Sequence, residues 1–267
     1  MFTEPLLQRH PYVQAFNFHR FVAGSERKAY EAHLRHRYPE FAMTQMKDGK
    51  IVPAEPRARH LVVDYIEPMH GNEAAFGLDV SHNTELLSAL ERAVDTGTVS
   101  STGLLTLAQG HGDLRGFLVI MPVYRDGMPL NSAEARRKAV IGDTAAVFNA
   151  SYLVEQILRT NGLMEDASIG ISVYAAATQD ERFLAYRKES RQVAKATLSW
   201  VPGWIFHDQP EEIVHNFDVA GRTWRVVVSA EPQPFYRQHD GALNTLVGGI
   251  LFSMLLAAFV QVLASRS

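Results

Sequence analysis

Four blocks between residues 65 and 124 carry most of the information about the fold: Tyr65-Ile66-Glu67-Pro68, Gly77-Leu78-Asp79-Val80-Ser81, Ala93-Val94-Asp95-Thr96-Gly97 and Gly116-Phe117-Leu118-Val119-Ile120-Met121-Pro122-Val123-Tyr124. The first block ends a valine-rich run that is typical of a β-strand. The third closes an amphipathic segment with helical periodicity, and the fourth is a second apolar run of strand character. The blocks therefore predict an α+β domain with a helix between strands.

The predicted helix runs from Thr84 to Val94, between the second and third blocks. Its leucines and alanines recur on one face, so the helix should pack by that face. Ser81 or Asn83 offers an N-cap, Glu85 suits the N-terminal end of the helix dipole, and Gly97 is the expected stop.

Short strands are expected on both sides of this helix, which together form a PAS-like sheet. The candidate strands are Phe41–Lys47, His60–Ile66, Phe76–Val80, Leu104–Gln109, Gly116–Tyr124 and Ala139–Phe148, and a helix capped by Ser151 follows them. Ahead of them, Gln8–Tyr38 is predicted to be mostly helical, because Tyr30, Leu34 and Tyr38 fall on one helix face before Pro39.

A second, smaller set of strands is expected after Gly162. The candidates are Ile169–Ala177, Phe183–Arg187, Val214–Val219 and Thr223–Ser229, with Ala220-Gly221 as a hairpin turn. The region of about 65 residues would be marginally stable alone.

The segment Ala242–Ala264 carries no charged residue, and as a helix it would span roughly 35 Å, enough to cross a hydrocarbon core of about 30 Å. Its Asn244, Thr245, Ser253 and Gln261 leave a buried soluble helix as the alternative. Arg266 beyond it favours a cytoplasmic end. No signal peptide is predicted, because Met1–Pro11 lacks an apolar core.

In this order, and followed by an apolar span, the four blocks resemble the CHASE domain. CHASE domains are the extracytoplasmic sensory modules of histidine kinases, among them the plant cytokinin receptors, and of diguanylate and adenylyl cyclases. The resemblance implies a tandem PAS-like sensor in four parts. These are a helical lead-in at residues 1–40 that ends a stalk helix, a membrane-distal ligand-binding unit at 41–162, a smaller membrane-proximal unit at 163–235, and a transmembrane helix at 242–264.

The resemblance also implies a location and a role. The bulk of the chain should be periplasmic, anchored in the inner membrane as a homodimer, and should bind a small molecule. A kinase or cyclase output domain would follow Ser267, so this chain itself is expected to catalyse nothing. In CHASE proteins a membrane-anchored stalk helix usually precedes the sensory region. That helix and the first transmembrane helix are missing from this sequence, so a truncated chain is expected, with a misplaced start as the alternative.

Asp79 is the leading site candidate. In the cytokinin receptors the aspartate in this Leu-Asp context hydrogen-bonds the adenine ring, and the resemblance carries that role to Asp79, with Leu78 beside it. A carboxylate accepts N–H groups of a base or an amine, and in a dry pocket such a bond contributes roughly 1.5–3 kcal/mol. The alternative is an Asx-turn or a cap leading into the helix.

Other site candidates follow from the resemblance and from strand alternation. Ser101 and Thr102 correspond to a stretch that lines the family's cavity, and three consecutive hydroxyls from Ser100 favour a ligand more polar than a cytokinin, or an exposed edge. The remaining candidates are either cavity lining or ordinary core and rim residues: Phe117, Met121, Tyr124, Tyr65 and Glu67.

Composition argues against several other classes. The net charge is −3 without a basic stripe, so nucleic acid is not a predicted partner. The chain has no cysteine, and its 11 histidines show no metal-ligand spacing. No metal and no cofactor are predicted. Two alternatives stay open: a tail-anchored periplasmic hydrolase that uses Glu67 and Asp79, and a structural or protein-binding ectodomain without a ligand cavity.

Overall fold

The computed structural model describes residues 3–107, 115–190, 211–230 and 240–264. The chain divides into two structural units. The first contains Met1–Asp166, Ile171–Lys188 and Val214–Val227, and the second contains Ala167–Gly170, Glu189–Ile213 and Val228–Ser267.

The first unit is built on strands β1 to β8, which are Val13–Ala23, Thr44–Lys47, Lys50–Pro53, Arg59–Glu67, Ser100–Ser101, Leu105–Thr106, Arg115–Tyr124 and Val140–Asn149. Six of them form one antiparallel sheet in the order β4-β1-β8-β7-β5, with β6 also paired to β7. The other two, β2 and β3, form a separate hairpin. We call the six-stranded sheet the central sheet.

The described helices, α1 to α6, are Glu4–Arg9, Arg27–Arg35, Thr84–Thr96, Ala133–Ala139, Ala150–Thr160 and Asp240–Ala264. The predicted helix after the second block is confirmed as α3. Its cap is Asn83, whose side-chain oxygen accepts a hydrogen bond from Leu86 N at 3.1 Å. Gly97 ends it in the left-handed region, at φ 72°, where glycine has no steric penalty.

Four further strands, β9 to β12, are Ile169–Tyr174, Leu184–Lys188, Glu211–Val219 and Arg222–Ala230. They form a second sheet in the order β10-β9-β12-β11, and its predicted strands are confirmed. Ala220 and Gly221 make the predicted turn, both with positive φ. The boundaries predicted for a membrane-proximal unit stay a prediction, and its last residues, 231–235, lie outside the described residues.

The prediction that Gln8–Tyr38 is mostly helical is wrong for Val13–Ala23. These residues form β1, a central strand that pairs with β4 on one side and β8 on the other. The alternation of β1 is hard to recognise because its buried positions include Asn17 and His19 as well as Ala15. Helix α2 does follow, and Tyr30 and Leu34 pack against a core cluster as the spacing predicts.

Three smaller expectations also differ from the structure. Phe76–Val80 forms only isolated bridges, from Leu78 to Thr44 and from Asp79 to Val62. Helix α5 is capped by Asn149, while the Ser151 hydroxyl donates to Ala185 O at 2.8 Å. Of the strand expected at Leu104–Gln109, only Leu105–Thr106 forms β6; Leu104 and Leu107 are not in a strand, and Ala108 and Gln109 lie outside the described residues.

Helix α6 contains a window, Asn244–Val262, whose mean hydropathy is 2.1 and none of which is buried. By length and composition it can cross a membrane. Its exposure does not fit the alternative of a buried soluble helix. Arg266 lies outside the described residues.

Candidate ligand-binding site

The central sheet has one face that packs against α3, which we call the α3 face. Side chains alternate along each strand, so Leu61 and Val63 of β4 share this face with alternate residues of the neighbouring strands. A register shift between β1 and β4 then brings Ile66, rather than Tyr65, onto the same face. The apolar residues of this core are Ala15, Leu61, Val63, Ile66, Leu118, Ile120, Ala145 and Val147 from the sheet, Leu86, Ala89, Leu90 and Val94 from α3, and Ala75, Leu78 and Leu107 from connecting segments.

Three polar side chains interrupt this apolar face. On β1, Asn17 and His19 occupy alternate positions after Ala15 and so lie on the same face. On β8, Asp143 lies two residues from Ala145 and shares its face. All three are buried. His19 is paired in register with Asp143, and its Nδ1 hydrogen-bonds Asp143 Oδ1 at 2.7 Å. Asp143 Oδ2 and Asn17 Oδ1 have no hydrogen-bond partner among the described residues.

Asp79 occupies a different environment. Its carboxylate accepts hydrogen bonds from His60 Nδ1 at 2.7 Å, from Ser81 N at 3.0 Å and from Leu61 N at 3.2 Å. Arg57 Nε lies 3.8 Å away. Burial pushes the pKa of Asp79 up, but these hydrogen bonds outweigh burial and leave the pKa below its ordinary value. The carboxylate is therefore ionised and held by the protein itself.

His60 places this pair away from the α3 face. It is paired with Val22 on β1, and it alternates with Leu61, which belongs to the α3 core. Val22 and Val62 belong to another cluster, together with Phe41 and Met43. Asp79 thus connects the segment before α3 to β4, as the alternative of a local structural role expects.

Ser101 and Thr102 lie between α3 and β7 and are buried. The Ser101 hydroxyl donates to Thr102 O at 3.0 Å, and the Thr102 hydroxyl donates to Gly103 O at 2.8 Å. Thr102 Oγ1 also accepts from Leu118 N at 2.9 Å. Both hydroxyls therefore stabilise the backbone here, and their role in ligand binding stays a prediction.

The aromatic candidates lie mainly on the face of the central sheet opposite α3. Phe117 packs between Phe148 and Trp224, with ring centroids 5.0 and 4.9 Å away. Tyr65 and Met121 are each 54% exposed. Tyr65 and Glu67 share that face, and the Tyr65 hydroxyl donates to Glu67 Oε2. They stay predicted binding residues, but they do not converge with the residues on the α3 face.

Two further candidates complete the predicted set. Leu78 belongs to the core on the α3 face. Tyr124 follows a register irregularity in β7, its buried hydroxyl has no partner among the described residues, and burial raises its pKa. The structure thus brings only Leu78 into that core, with Ser101 and Thr102 at its border.

Sequence reasoning did not identify Asn17, His19 or Asp143 as site candidates. The available signal was the run Val13-Gln-Ala-Phe-Asn-Phe-His19, in which polar residues alternate with phenylalanines. That pattern is a strand period, but its polar positions are the buried ones. In the part of the chain that the structure describes, no group of three or more His, Asp or Glu residues could hold a metal ion.

Comparisons with known proteins identify one family. The sequence model of the CHASE domain matches residues 1–186. No match was found among curated proteins.

Two solved structures are similar to this chain. An extracellular ligand binding receptor from Desulfohalobium retbaense DSM5692 has a TM-score of 0.45 and 11% identity, covering 85% of this chain and 32% of that chain. The periplasmic sensory domain of the Campylobacter jejuni chemoreceptor Tlp1 has a TM-score of 0.43 and 13% identity, covering 83% of this chain and 73% of that chain. The chain thus spans about a third of the length of the first.

Proposed function

The chain belongs to the CHASE domain family, and from this membership we propose that it is the extracytoplasmic sensory module of a membrane-bound signalling receptor. The observation that carries the proposal is the CHASE match over residues 1–186 in the same chain as the exposed apolar helix α6. A histidine kinase or a diguanylate cyclase is the proposed output domain, and the receptor is proposed to act as a homodimer in the inner membrane. The tandem PAS-like architecture is part of this proposal, supported by strands on both sides of α3.

We propose that the ligand is a small molecule and that it binds between the central sheet and α3. Leu78 lies on that side, and Ser101 and Thr102 border it. The resemblance also implies an adenine-type ligand held by Asp79. Because that carboxylate lies away from the α3 face, such a ligand would need a separate site on the other side of β4. A ligand shifts a receptor only by its different affinity for two states, so the site must connect to an element that leads to the membrane.

The hairpin β11–β12 is the proposed connection, because its turn contacts the segment between α3 and β7. Ala220 O accepts a hydrogen bond from Ser101 N at 2.9 Å. Arg222 Nη1 lies 3.0 Å from Glu85 Oε2 in the first turn of α3, and the same oxygen accepts from Gly103 N at 3.1 Å. Because β12 precedes α6 in the chain, a shift of α3 can reach the hairpin that leads to the membrane helix.

Replacing Arg222 with alanine is expected to loosen this contact. The ion pair is partly exposed, with side-chain exposures of 22% for Arg222 and 44% for Glu85, so its loss should cost only about 0–1 kcal/mol. Hydrogen exchange at the Ser101 and Gly103 amides should accelerate up to about fivefold. Mass spectrometry of the full chain in detergent measures this exchange. Arg225→Ala is the matched control on the same strand, and equal rates in both variants would contradict the connection.

The proposed location can be tested with single-cysteine variants, because the chain has no cysteine of its own. Asp126→Cys lies in an exposed turn, and Ser267→Cys marks the end that follows α6. A membrane-impermeant maleimide should label the Asp126→Cys variant in intact cells whose outer membrane has been permeabilised. It should label the Ser267→Cys variant only after the inner membrane is disrupted. Labelling of the Asp126→Cys variant only after that disruption would contradict an extracytoplasmic module.

A further inference from the structure

The protein contains two buried histidine–aspartate pairs whose aspartates are satisfied to different degrees. His60–Asp79 and His19–Asp143 both join Nδ1 to a carboxylate oxygen at 2.7 Å. Both aspartates have no solvent exposure. The hydrogen bonds of Asp79 therefore provide a reference against which those of Asp143 can be compared.

Asp79 shows what a fully stabilised buried carboxylate looks like in this protein. It accepts from two backbone N–H groups as well as from His60, and Arg57 supplies a positive charge nearby. Both oxygens have partners. Such a carboxylate needs nothing from a ligand, although His60 Nε2 on the far side of the ring has no partner among the described residues.

Asp143 has only part of this support. Among the described residues its hydrogen-bond and ion-pair partner is His19, and Oδ2 has none. Asn17 Oδ1, two residues from His19 on the same face of β1, also lacks a partner among those residues. Since Asn17 is paired with Ala145, it lies diagonally across from Asp143, at a typical Cα separation of about 7–8 Å.

The two unpartnered atoms have the same chemistry. Each is a hydrogen-bond acceptor, one of them on a carboxylate, and each is buried on a face that is otherwise apolar. Burying an acceptor without a donor is unfavourable, whether the acceptor belongs to an amide or to a carboxyl group. Ala15 and Ala145 beside them are small and carry no donor in their side chains.

From this arrangement we infer that Asn17, His19 and Asp143 are a recognition group for a small molecule with a positively charged nitrogen that bears N–H donors, of the amine, amidine or guanidine class. The cationic N–H donates to Asp143 Oδ2, and a second N–H donates to Asn17 Oδ1. His19 positions the carboxylate through its bond to Oδ1. This inference rests on the proposed sensory function and places the ligand's polar anchor on the α3 face, apart from Asp79.

The first test compares cationic and neutral ligands built on the same four-carbon chain, using the full protein chain in detergent. Thermal unfolding is measured with 1,4-diaminobutane, with agmatine, and with 1,4-butanediol, which lacks the charged nitrogens. The diamine or agmatine should raise the melting temperature in a concentration-dependent way, and the diol should not. Asp143→Asn should abolish the shift. Thr144→Ala, an exposed neighbour on the opposite face of β8, should retain it.

The second test needs no ligand. Since Asp143 Oδ2 and Asn17 Oδ1 have no hydrogen-bond partner among the described residues, Asp143→Asn should leave the melting temperature unchanged or raise it, and Asn17→Leu should do the same. Asp79→Asn should lower it by several degrees, because its carboxylate has a full set of donors. If the melting temperature of Asp143→Asn falls as far as that of Asp79→Asn, the inference is overturned. Such a result would indicate that ordered water or the His19 pair already supplies the hydrogen bonds that Asp143 needs.

The possible results distinguish a failure of this inference from a failure of the proposed sensory function. If neither amine stabilises the protein, or if stabilisation survives in Asp143→Asn, the recognition group is wrong. Stabilisation by an adenine or a carboxylic acid that is unaffected in Asp143→Asn would still support a ligand sensor. If no compound of any class stabilises the protein, the sensory function itself loses support.

Discussion

Replacing Asp79 with alanine is expected to lower the free energy of unfolding by about 3–5 kcal/mol, the range for removing one partner of a buried charged pair. The change leaves His60 and the N–H groups of Leu61 and Ser81 buried without their acceptor. A typical domain is stable by only about 5–15 kcal/mol, so this loss removes a substantial fraction of the total stability. Urea denaturation of the full chain, followed by circular dichroism, measures the loss.

The matched control is Asp126→Ala, because Asp126 is an exposed aspartate in a turn, and among the described residues its side chain bonds only the neighbouring Gly127 N. Its effect should stay within about 0.5 kcal/mol. A loss below about 1 kcal/mol in Asp79→Ala would mean that the carboxylate is not held by the protein as described.

The pH dependence of stability offers an independent readout of the same pair. Burial raises the folded-state pKa of Asp79, but the hydrogen bonds outweigh burial and depress it, so the associated stability is fully present above the unfolded pKa of about 4. It is lost as the pH falls through the folded-state value. Below about pH 4 the wild type should therefore lose more stability than Asp79→Asn, whose side chain does not titrate there.

Helix α3 and the long strands β7 and β8 could be predicted from the sequence because local signals agree. Apolar spacing, the cap at Asn83 and the stop at Gly97 all indicate the same helix. Strands of ten residues rich in Val, Ile and Phe leave little ambiguity. The order of the four blocks was sufficient to suggest the family that the comparison confirms.

Strand β1 could not be predicted, because its buried face is partly polar. A pattern analysis assigns Asn17 and His19 to the surface, and only pairing with β8 explains their burial. His19 and Asp143 lie 124 residues apart in the chain, and neither has a neighbour in sequence that indicates the contact. Long-range pairing of this kind follows from strand register, which local periodicity does not determine.

The prediction for Asp79 rested on its Leu-Asp context and its position before a helix, and it left open a ligand contact or a local turn. The residue does precede a helix, as expected, but its bridge to Val62 and its bond to His60 place it away from the α3 face. The sequence around Leu78-Asp79 is compatible with a ligand contact or a local structural role. The structure adds three hydrogen bonds, which provide donors to both oxygens of the Asp79 carboxylate without a ligand.

Ligand binding should stabilise the full chain strongly, since a small molecule that binds only the folded state adds about 2.7 kcal/mol at a hundredfold excess over its dissociation constant. For a domain of this size that corresponds to an increase of roughly 5–10 °C in the melting temperature. The shift should grow with the logarithm of ligand concentration, which distinguishes binding from a solvent effect.

A thermal-unfolding screen of the full chain in detergent against adenines, amino acids, amines and carboxylic acids therefore tests the sensory role most directly. The account predicts that compounds of one chemical class raise the melting temperature and that the others leave it unchanged. A well-folded protein whose melting temperature does not change with any compound would contradict a small-molecule sensor, and would favour a module that responds to a protein partner.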